Sequence, residues 1–296
     1  MPLAADVGVP AVFAVLSVIG SIYAPRRYSV SWGPWRADNN NMLLTAVENS
    51  PPRRFAAYHR YDHNFFAAYV LLVWLGITMG FGPQIARHFA RSQPAYPLIV
   101  HIHAAVFVGW LVLLTTQVLL IRAGNVRLHR TLGVLGIVTA GLMIVLGPAT
   151  ALLVQHLQLG TPRSDPAFLS VQLSDILAFA VLIIPAFVYR NQPATHKRLI
   201  LLATLYISDA GFSRWFGNTA QAAWGDGFWG QVGQLYLGND LLILGLGAYD
   251  LITRGRLLPA YVAGTVGIAT IEAVAISLYL SPLWKPIASS IIARIG

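Results

Sequence analysis

Long apolar runs separated by short polar segments make up most of this chain. A helix of about 20 apolar residues crosses the roughly 30 Å of hydrocarbon in a bilayer. Because a backbone in lipid must satisfy its own hydrogen bonds, each run is predicted to be a helix. The pattern therefore predicts an all-α, polytopic membrane helix bundle of about eight transmembrane helices, at roughly residues 8–24, 64–82, 97–121, 131–155, 169–189, 197–216, 235–252 and 258–281.

Two longer polar segments interrupt these runs. Residues 25–63 are rich in Tyr and Trp, and residues 217–234 are rich in Gly and Trp. Aromatic side chains of this kind concentrate where the bilayer meets water. We therefore predict an interfacial segment at 25–63 and an outer loop at 217–234, within a single transmembrane domain that spans residues 1–296.

Composition supports the membrane assignment and narrows the chemistry. The chain is 56% hydrophobic and only 10% charged, and its mean hydropathy is +0.62. These values are not those of a soluble domain. The absence of cysteine excludes disulfides and thiolate ligands, so a metal ion or a haem has to be held by His, Met or carboxylate side chains.

The basic residues predict an orientation. When the eight predicted spans alternate in direction, fourteen of the 20 Lys and Arg residues lie on one side and six on the other. Cytoplasmic loops carry the excess of Lys and Arg, so both termini are predicted to lie outside, in a bacterial inner membrane. The net charge of +9 is spread over short loops, which favours membrane topology over a nucleic-acid partner.

Ionisable residues inside the spans are the first candidates for function, because each costs about 2.5–3.5 kcal/mol on insertion scales. One set lies toward the predicted outer face. Imidazole and carboxylate ligands suit Zn, Fe, Mn or Cu. The alternative is a hydrogen-bonded polar cluster that holds the helices together. The predicted metal ligands are His101, His103, Asp175, Asp209 and Asp240, with Arg214 and Glu272 tuning the charge.

A second set of candidates lies at the predicted cytoplasmic ends of three spans. His129 and His156 are 27 residues apart, about 40 Å along a helix, which disfavours a stack of two haems across the membrane. A single b-type haem near the cytoplasmic face remains open, and so does the anchoring of lipid phosphates by basic helix ends. The residues in question are His63, His129, Arg130, His196 and Arg198.

Four motifs carry a resemblance to a known group of proteins. They are LHRTLG at 128–133, THKRLILLAT at 195–204, QLSDILAF at 172–179 and DLLILGLGAYDLITRGRLLPA at 240–260. Together they resemble an uncharacterised family of bacterial polytopic membrane proteins. The chain is also loosely similar to membrane b-type cytochromes, which have histidines at helix ends. The family resemblance implies the topology and draws attention to His101, His103, His129, Asp175, His196, Arg198, Asp240 and Asp250.

Three functions remain open from the sequence. The first is a redox component or metalloenzyme that uses a transition metal or a b-type haem. The second is an accessory subunit that packs against a larger membrane protein complex, and the third is a carrier of a small polar solute. The chain contains no Walker loop, nucleophile elbow, HExxH or GxGxxG motif, so nucleotide-driven transport and the common hydrolase families gain no support.

Overall fold

The computed structural model describes residues 55–91 and 95–295. The predicted span at 8–24 and most of the predicted interfacial segment at 25–63 lie outside these ranges. The described residues form α1 (Asp62–Ala90), α2 (Leu98–Arg122), α3 (Val126–Gln158), α4 (Leu169–Val188), α5 (Pro193–Ile207), α6 (Asp209–Phe212), α7 (Asn218–Trp224), α8 (Phe228–Leu235), α9 (Leu237–Arg254), α10 (Pro259–Leu280) and α11 (Trp284–Ala293).

The described part of the chain is helical and contains five helices long and apolar enough to cross a membrane. These are α1, α2, α3, α10 and the segment Pro166–Val188, in which a 3₁₀ turn leads into α4. A sixth span is present if α8 and α9, which bend by 73° between Leu235 and Leu237, are one broken span. The all-α membrane architecture is confirmed, with five to six candidate spans.

One predicted span and one predicted loop differ from the structure. The predicted span 197–216 is not one helix, because α5 ends at Ile207 and a π-helical turn follows α6 at Ser213–Gly217. The predicted loop 217–234 is mostly helical, in α7 and α8. At the break the Ser208 hydroxyl donates to Leu205 O at 2.6 Å, so it competes with the backbone ladder.

Residues at the helix ends explain where several elements begin and stop. Asn125 caps α3, because its side-chain oxygen accepts from Leu128 N at 3.1 Å. Pro193 and Pro259 stand at the first positions of α5 and α10, where the missing N–H costs nothing. Gly255 adopts a left-handed φ of 67° and ends α9. These local signals place the short connections between helices.

Helix α4 is the centre of the bundle. In its most apolar window 61% of residues are buried, against 22% in α2 and α3. Phe179 and Ile183 of α4 pack with Leu202 and Tyr206 of α5 in one continuous core, and Ile268 of α10 belongs to the same core. Helices α1 to α3 leave broad apolar faces at the surface, as lipid-facing helices do.

An ion-pair network joins three helices at one end of the bundle. Arg198 near the start of α5 is fully buried and binds the fully buried Asp250 with two bonds, at 2.6 Å from Nε to Oδ2 and 2.5 Å from Nη2 to Oδ1. Arg254 of α9 reaches Asp62 at the start of α1 at 2.8 Å. Lys197 donates to the same carboxylate at 2.6 Å. We call this end, where α1 and α5 begin and α9 stops, the basic end.

The residues that precede α1 close the network. The Phe55 ring lies under the Arg198 guanidinium at 4.5 Å and under that of Arg254 at 5.3 Å. Tyr249 donates its hydroxyl hydrogen to Asp62 at 2.6 Å. Every charge in the network therefore has a partner, as a buried charge requires. Three helix ends therefore meet here, and the predicted alternation of the spans places the same three ends on one side of the membrane.

Breaking the buried pair should destabilise the protein severely. We expect Arg198→Ala or Asp250→Ala to lower the free energy of unfolding by about 3–5 kcal/mol, because each leaves one charge buried without its partner. Replacing both residues by apolar ones of similar size, Arg198→Met with Asp250→Leu, should recover much of this loss. Unfolding of the detergent-solubilised protein, followed by circular dichroism, measures both effects.

The matched control is Arg127→Ala, because Arg127 is exposed at the same end of the bundle. Its removal should change the free energy of unfolding by less than about 0.5 kcal/mol. A loss of similar size in Arg127→Ala and Arg198→Ala would show that the buried pair has no special role.

Candidate functional site

Acidic side chains from four elements converge inside the bundle, where two helices are broken. Asp209 is the first residue of α6, directly after the break at Ser208. Asp240 lies in the first turn of α9, directly after the bend between α8 and α9. Asp175 comes from α4 and Glu272 from α10. We call these four residues the carboxylate cluster.

The carboxyl groups interact with each other. Those of Asp175 and Asp209 lie within hydrogen-bonding range, and Glu272 interacts electrostatically with Asp175, Asp209 and Asp240. Asp209 and Glu272 are buried, and one oxygen each of Asp175 and Glu272 is buried without a hydrogen-bond donor. Carboxylates only accept hydrogen bonds, so a proton or a cation is needed to satisfy oxygens that face each other.

Two tyrosines complete the polar lining. The Tyr206 and Tyr236 rings stack with centroids 5.9 Å apart, and both side chains are fully buried. Their hydroxyl groups are buried without a hydrogen-bond partner. Tyr206 interacts electrostatically with Asp175, Asp209 and Glu272, and Tyr236 with the same three carboxylates. The cluster thus contains free hydroxyl donors beside unsatisfied carboxylate acceptors.

Asn239 holds the two breaks against each other. Its side-chain nitrogen donates to Tyr206 O at 3.1 Å, and its side-chain oxygen lies 3.3 Å from the Ser208 hydroxyl. Tyr206 lies in the last turn of α5 and Ser208 directly follows that helix, whereas Asn239 lies in the first turn of α9. This side chain supplies partners for backbone that the broken helix leaves open, which is how non-helical backbone is tolerated at membrane depth.

Helix α1 fits against the break because both contacting positions are glycine. A Cβ atom on Gly80 would lie 2.1 Å from the carbonyl oxygen of Gly211, and one on Gly76 would lie 2.4 Å from the Phe212 ring. Gly238 faces the same ring from α9. Small residues let helix backbones approach closely in membranes. The packing therefore fixes α6, the carrier of Asp209, between α1 and α9.

Arg214 is the positive charge nearest the cluster. It interacts electrostatically with Asp175 and Asp209, and its guanidinium donates to Ala210 O at 2.6 Å. Gln84 accepts from its Nε at 3.2 Å, and the guanidinium lies over the Phe81 ring at 4.6 Å. These contacts hold the charge at the surface beside the cluster, so Arg214 influences the carboxylates without a direct ion pair.

The two histidines predicted as metal ligands do not join the carboxylates. His101 is exposed, with its ring centroid 6.4 Å from that of Tyr96. His103 stacks on Phe107 of its own helix at 4.0 Å and interacts with the backbone of Leu146 on α3. Among residues 55–91 and 95–295, no group of three or more His, Asp or Glu side chains is arranged to hold a metal ion. The predicted ligand set is therefore divided between separate places.

The second predicted set is also divided. His63 and Arg130 are exposed at the helix starts, where Arg130 is free to meet lipid phosphates. Arg198 cannot anchor lipid, because its buried guanidinium is bound to Asp250. His129 and His196 are brought together, with ring centroids 6.4 Å apart. Of the five residues, these two histidines alone form a pair.

Several residues of the site are not among the sequence-based candidates. In the sequence, Tyr206 and Tyr236 look like ordinary aromatic residues of apolar runs. Lys197 and Asp62 look like charges at the membrane interface. One signal points to Tyr206 in retrospect, because it stands three residues before Asp209. For the ion-pair network, the i, i+4 spacing of Asp250 and Arg254 is typical of a helical ion pair. Their partners on other helices leave no trace in the sequence.

Comparison of the chain with protein-family models, with curated proteins and with solved structures finds no match. The resemblance to a family of bacterial membrane proteins stays a prediction.

Removing the Tyr206 hydroxyl and removing the Asn239 side chain should have different effects on the free energy of unfolding. We expect Tyr206→Phe to leave the free energy of unfolding unchanged or slightly higher, because the lost hydroxyl has no partner. Asn239→Ala removes the donor to Tyr206 O, and we expect it to cost about 1–3 kcal/mol. Chemical unfolding in detergent micelles measures the difference. Equal destabilisation by both variants would show that the Tyr206 hydroxyl is already satisfied in the folded protein.

Proposed function

We propose that this protein is a membrane carrier for a small polar or cationic solute, and that the carboxylate cluster is its proton- or cation-binding site. The observation that carries the proposal is the convergence of Asp175, Asp209, Asp240 and Glu272 at two helix breaks. Carboxylates inside a membrane protein are costly, and they mark ion and proton pathways.

The helix breaks support a carrier. Membrane carriers commonly bind substrates and coupling ions at discontinuous helices, where freed backbone groups and half-helix ends face the site. The interruption after Ile207 and the 73° bend before Leu237 are two such discontinuities. The π-helical turn at Ser213–Gly217 adds a third irregularity on the same run, and π turns concentrate at functional sites.

The donor set favours a hard cation or a proton. The cluster offers carboxylate, hydroxyl and amide oxygens but no imidazole or thiolate, and oxygen ligands suit hard cations. Because no three acidic side chains of the described residues are arranged to hold a metal ion, a cation would be held by a pair such as Asp175 and Asp209. The close pair Asp175 and Asp209 is held together favourably when one carboxyl carries a proton or when a cation lies between them. This chemistry agrees less well with a redox metal centre at the same place.

We also propose that the basic end faces the cytoplasm of a bacterium. Among the described residues, the basic end carries Arg60, Arg122, Arg127, Arg130, Arg190, Lys197, Arg198, Arg254 and Arg256, and the opposite end carries Arg87, Arg91, Arg163, Arg214, Lys285 and Arg294. This excess follows the positive-inside bias, which places the carboxylate cluster nearer the outer face. The C-terminal end of the described chain is then outside, and the predicted span at 8–24, which lies outside the described residues, would place the N-terminus there as well.

The orientation can be tested cleanly because the chain has no cysteine. Arg127 and Arg163 are exposed at opposite ends of α3. In intact cells, a membrane-impermeant maleimide should label Arg163→Cys and not Arg127→Cys, whereas permeabilised cells should show both labels. Labelling of Arg127→Cys alone in intact cells would reverse the orientation.

If the protein is a carrier, the carboxyl groups of the cluster should bind protons, and a bound cation should protect them from chemical modification. A hydrophobic carbodiimide modifies protonated carboxyl groups in apolar surroundings, so we expect it to modify Glu272 or Asp175 in the purified protein, as located by mass spectrometry. Raising Na⁺ or lowering the proton concentration should reduce modification. In proteoliposomes, proton or Na⁺ flux should fall at least about tenfold in Asp175→Asn and Asp209→Asn.

The matched control is Asp226→Asn, because Asp226 lies in an exposed turn and accepts only from the Gln221 side chain at 3.1 Å. Its flux should equal that of the wild type. Carbodiimide modification that is insensitive to cations, together with flux no greater than that of empty vesicles, would refute a carrier function and favour an accessory subunit.

A further inference from the structure

Two histidines form a close pair at the basic end of the bundle, apart from the carboxylate cluster. His129 lies in the first turn of α3 and His196 in the first turn of α5. Their ring centroids are 6.4 Å apart, and the ring planes are inclined by 84°. The pair plays no part in the proposed carrier site, so its role is a separate question.

Hydrogen bonds leave a free nitrogen on each ring. Nδ1 of His196 lies 2.8 Å from the carbonyl oxygen of Ala186. A carbonyl only accepts, so Nδ1 carries the hydrogen and Nε2 keeps its lone pair. Metal-binding histidines are typically oriented by this kind of hydrogen bond. On His129, Nδ1 is buried without a hydrogen-bond partner.

Gln117 of α2 fixes the position of His129. Its side-chain nitrogen donates to the His129 backbone oxygen at 3.1 Å. The other end of the same amide, Oε1, is buried without a partner. Gln117 Oε1 and His129 Nδ1 are thus both buried without a partner, and most buried polar atoms in folded proteins have one. The ring nitrogen of His129 is therefore available to a bound group.

The separation of the rings decides how such a group is bound. With a metal–nitrogen bond of about 2.0 Å and about 1.1 Å from nitrogen to ring centre, trans imidazoles place their centroids about 6.2 Å apart. A tetrahedral angle at the metal would bring the centroids to about 5 Å. The observed 6.4 Å agrees with the trans arrangement. Perpendicular ring planes are compatible with it, because two metal–nitrogen bonds in trans set no particular angle between the ring planes.

We propose that His129 and His196 bind one transition-metal centre between them, with the two imidazoles in trans. Structural zinc takes four ligands, and no third His, Asp or Glu joins the pair among the described residues. Two trans imidazoles are sufficient for a linear copper(I) ion, or for the iron of a haem whose macrocycle supplies the other four ligands. The two share this ligand chemistry, and the experiment separates them.

The test uses the purified full-length protein titrated with copper(I), under a competing chelator, and separately with haem. We expect one equivalent of one of them to bind. Haem would give a Soret band typical of two axial imidazoles, and copper(I) would give two nitrogen neighbours by X-ray absorption spectroscopy. Binding should weaken by about 100-fold in His129→Asn and in His196→Asn. The substitution His196→Asn keeps a side-chain N–H donor for the Ala186 carbonyl.

The control is His63→Asn, because His63 is exposed at the same end of the bundle. Its affinity should equal that of the wild type. The absorption spectra of the wild-type complex report the ligands even if a variant folds poorly. No binding of either centre to the wild type, or weakening of less than about tenfold in either His129→Asn or His196→Asn, would overturn the proposal.

Discussion

A charge buried in a membrane protein is stable only when an opposite charge is held against it. The Arg198–Asp250 pair meets this condition with two bonds and no exposed side-chain surface. Because the partners come from α5 and α9, the pair fixes these helices against each other. Arg254 and Asp62 extend the constraint to α1. The rest of the bundle is assembled from apolar helices around this rigid end.

The opposite half of the protein has a different character. There, carboxylates face each other and tyrosine hydroxyls lack partners. A network with unsatisfied members is less stable than a satisfied one. The core of α4 and α5 and the glycine contacts of α6 hold these polar groups in place. A stable, fully paired end therefore supports a half in which polar groups remain available for a ligand.

The broken helices connect these two halves. Helix α5 begins in the ion-pair network with Lys197 and Arg198 and ends at the break that places Asp209 in the cluster. Helix α9 runs the other way, from Asp240 to Asp250 and Arg254. A shift of either helix would change both the ion pairs and the spacing of the carboxylates. The two ends of the bundle are therefore connected through α5 and α9.

The amino-acid sequence by itself determined the membrane class, most span boundaries and the candidate carboxylates, because run length and the cost of intramembrane charge are properties of local sequence. It placed the ends of α2, α4 and α10 within one residue, whereas α1 runs eight residues beyond its predicted end and α3 begins five residues before its predicted start. It did not reveal the break at Ser208, because hydropathy is an average over a whole segment and does not register a single hydroxyl that competes for the backbone.

Only the tertiary structure decided which polar residues meet. His103 of α2 and Asp175 of α4 are predicted at similar depth, yet the rotation of each helix directs His103 to the backbone of Leu146 and Asp175 to Asp209. Pairing across helices depends on rotation and packing, which arise from the whole core and not from any one segment.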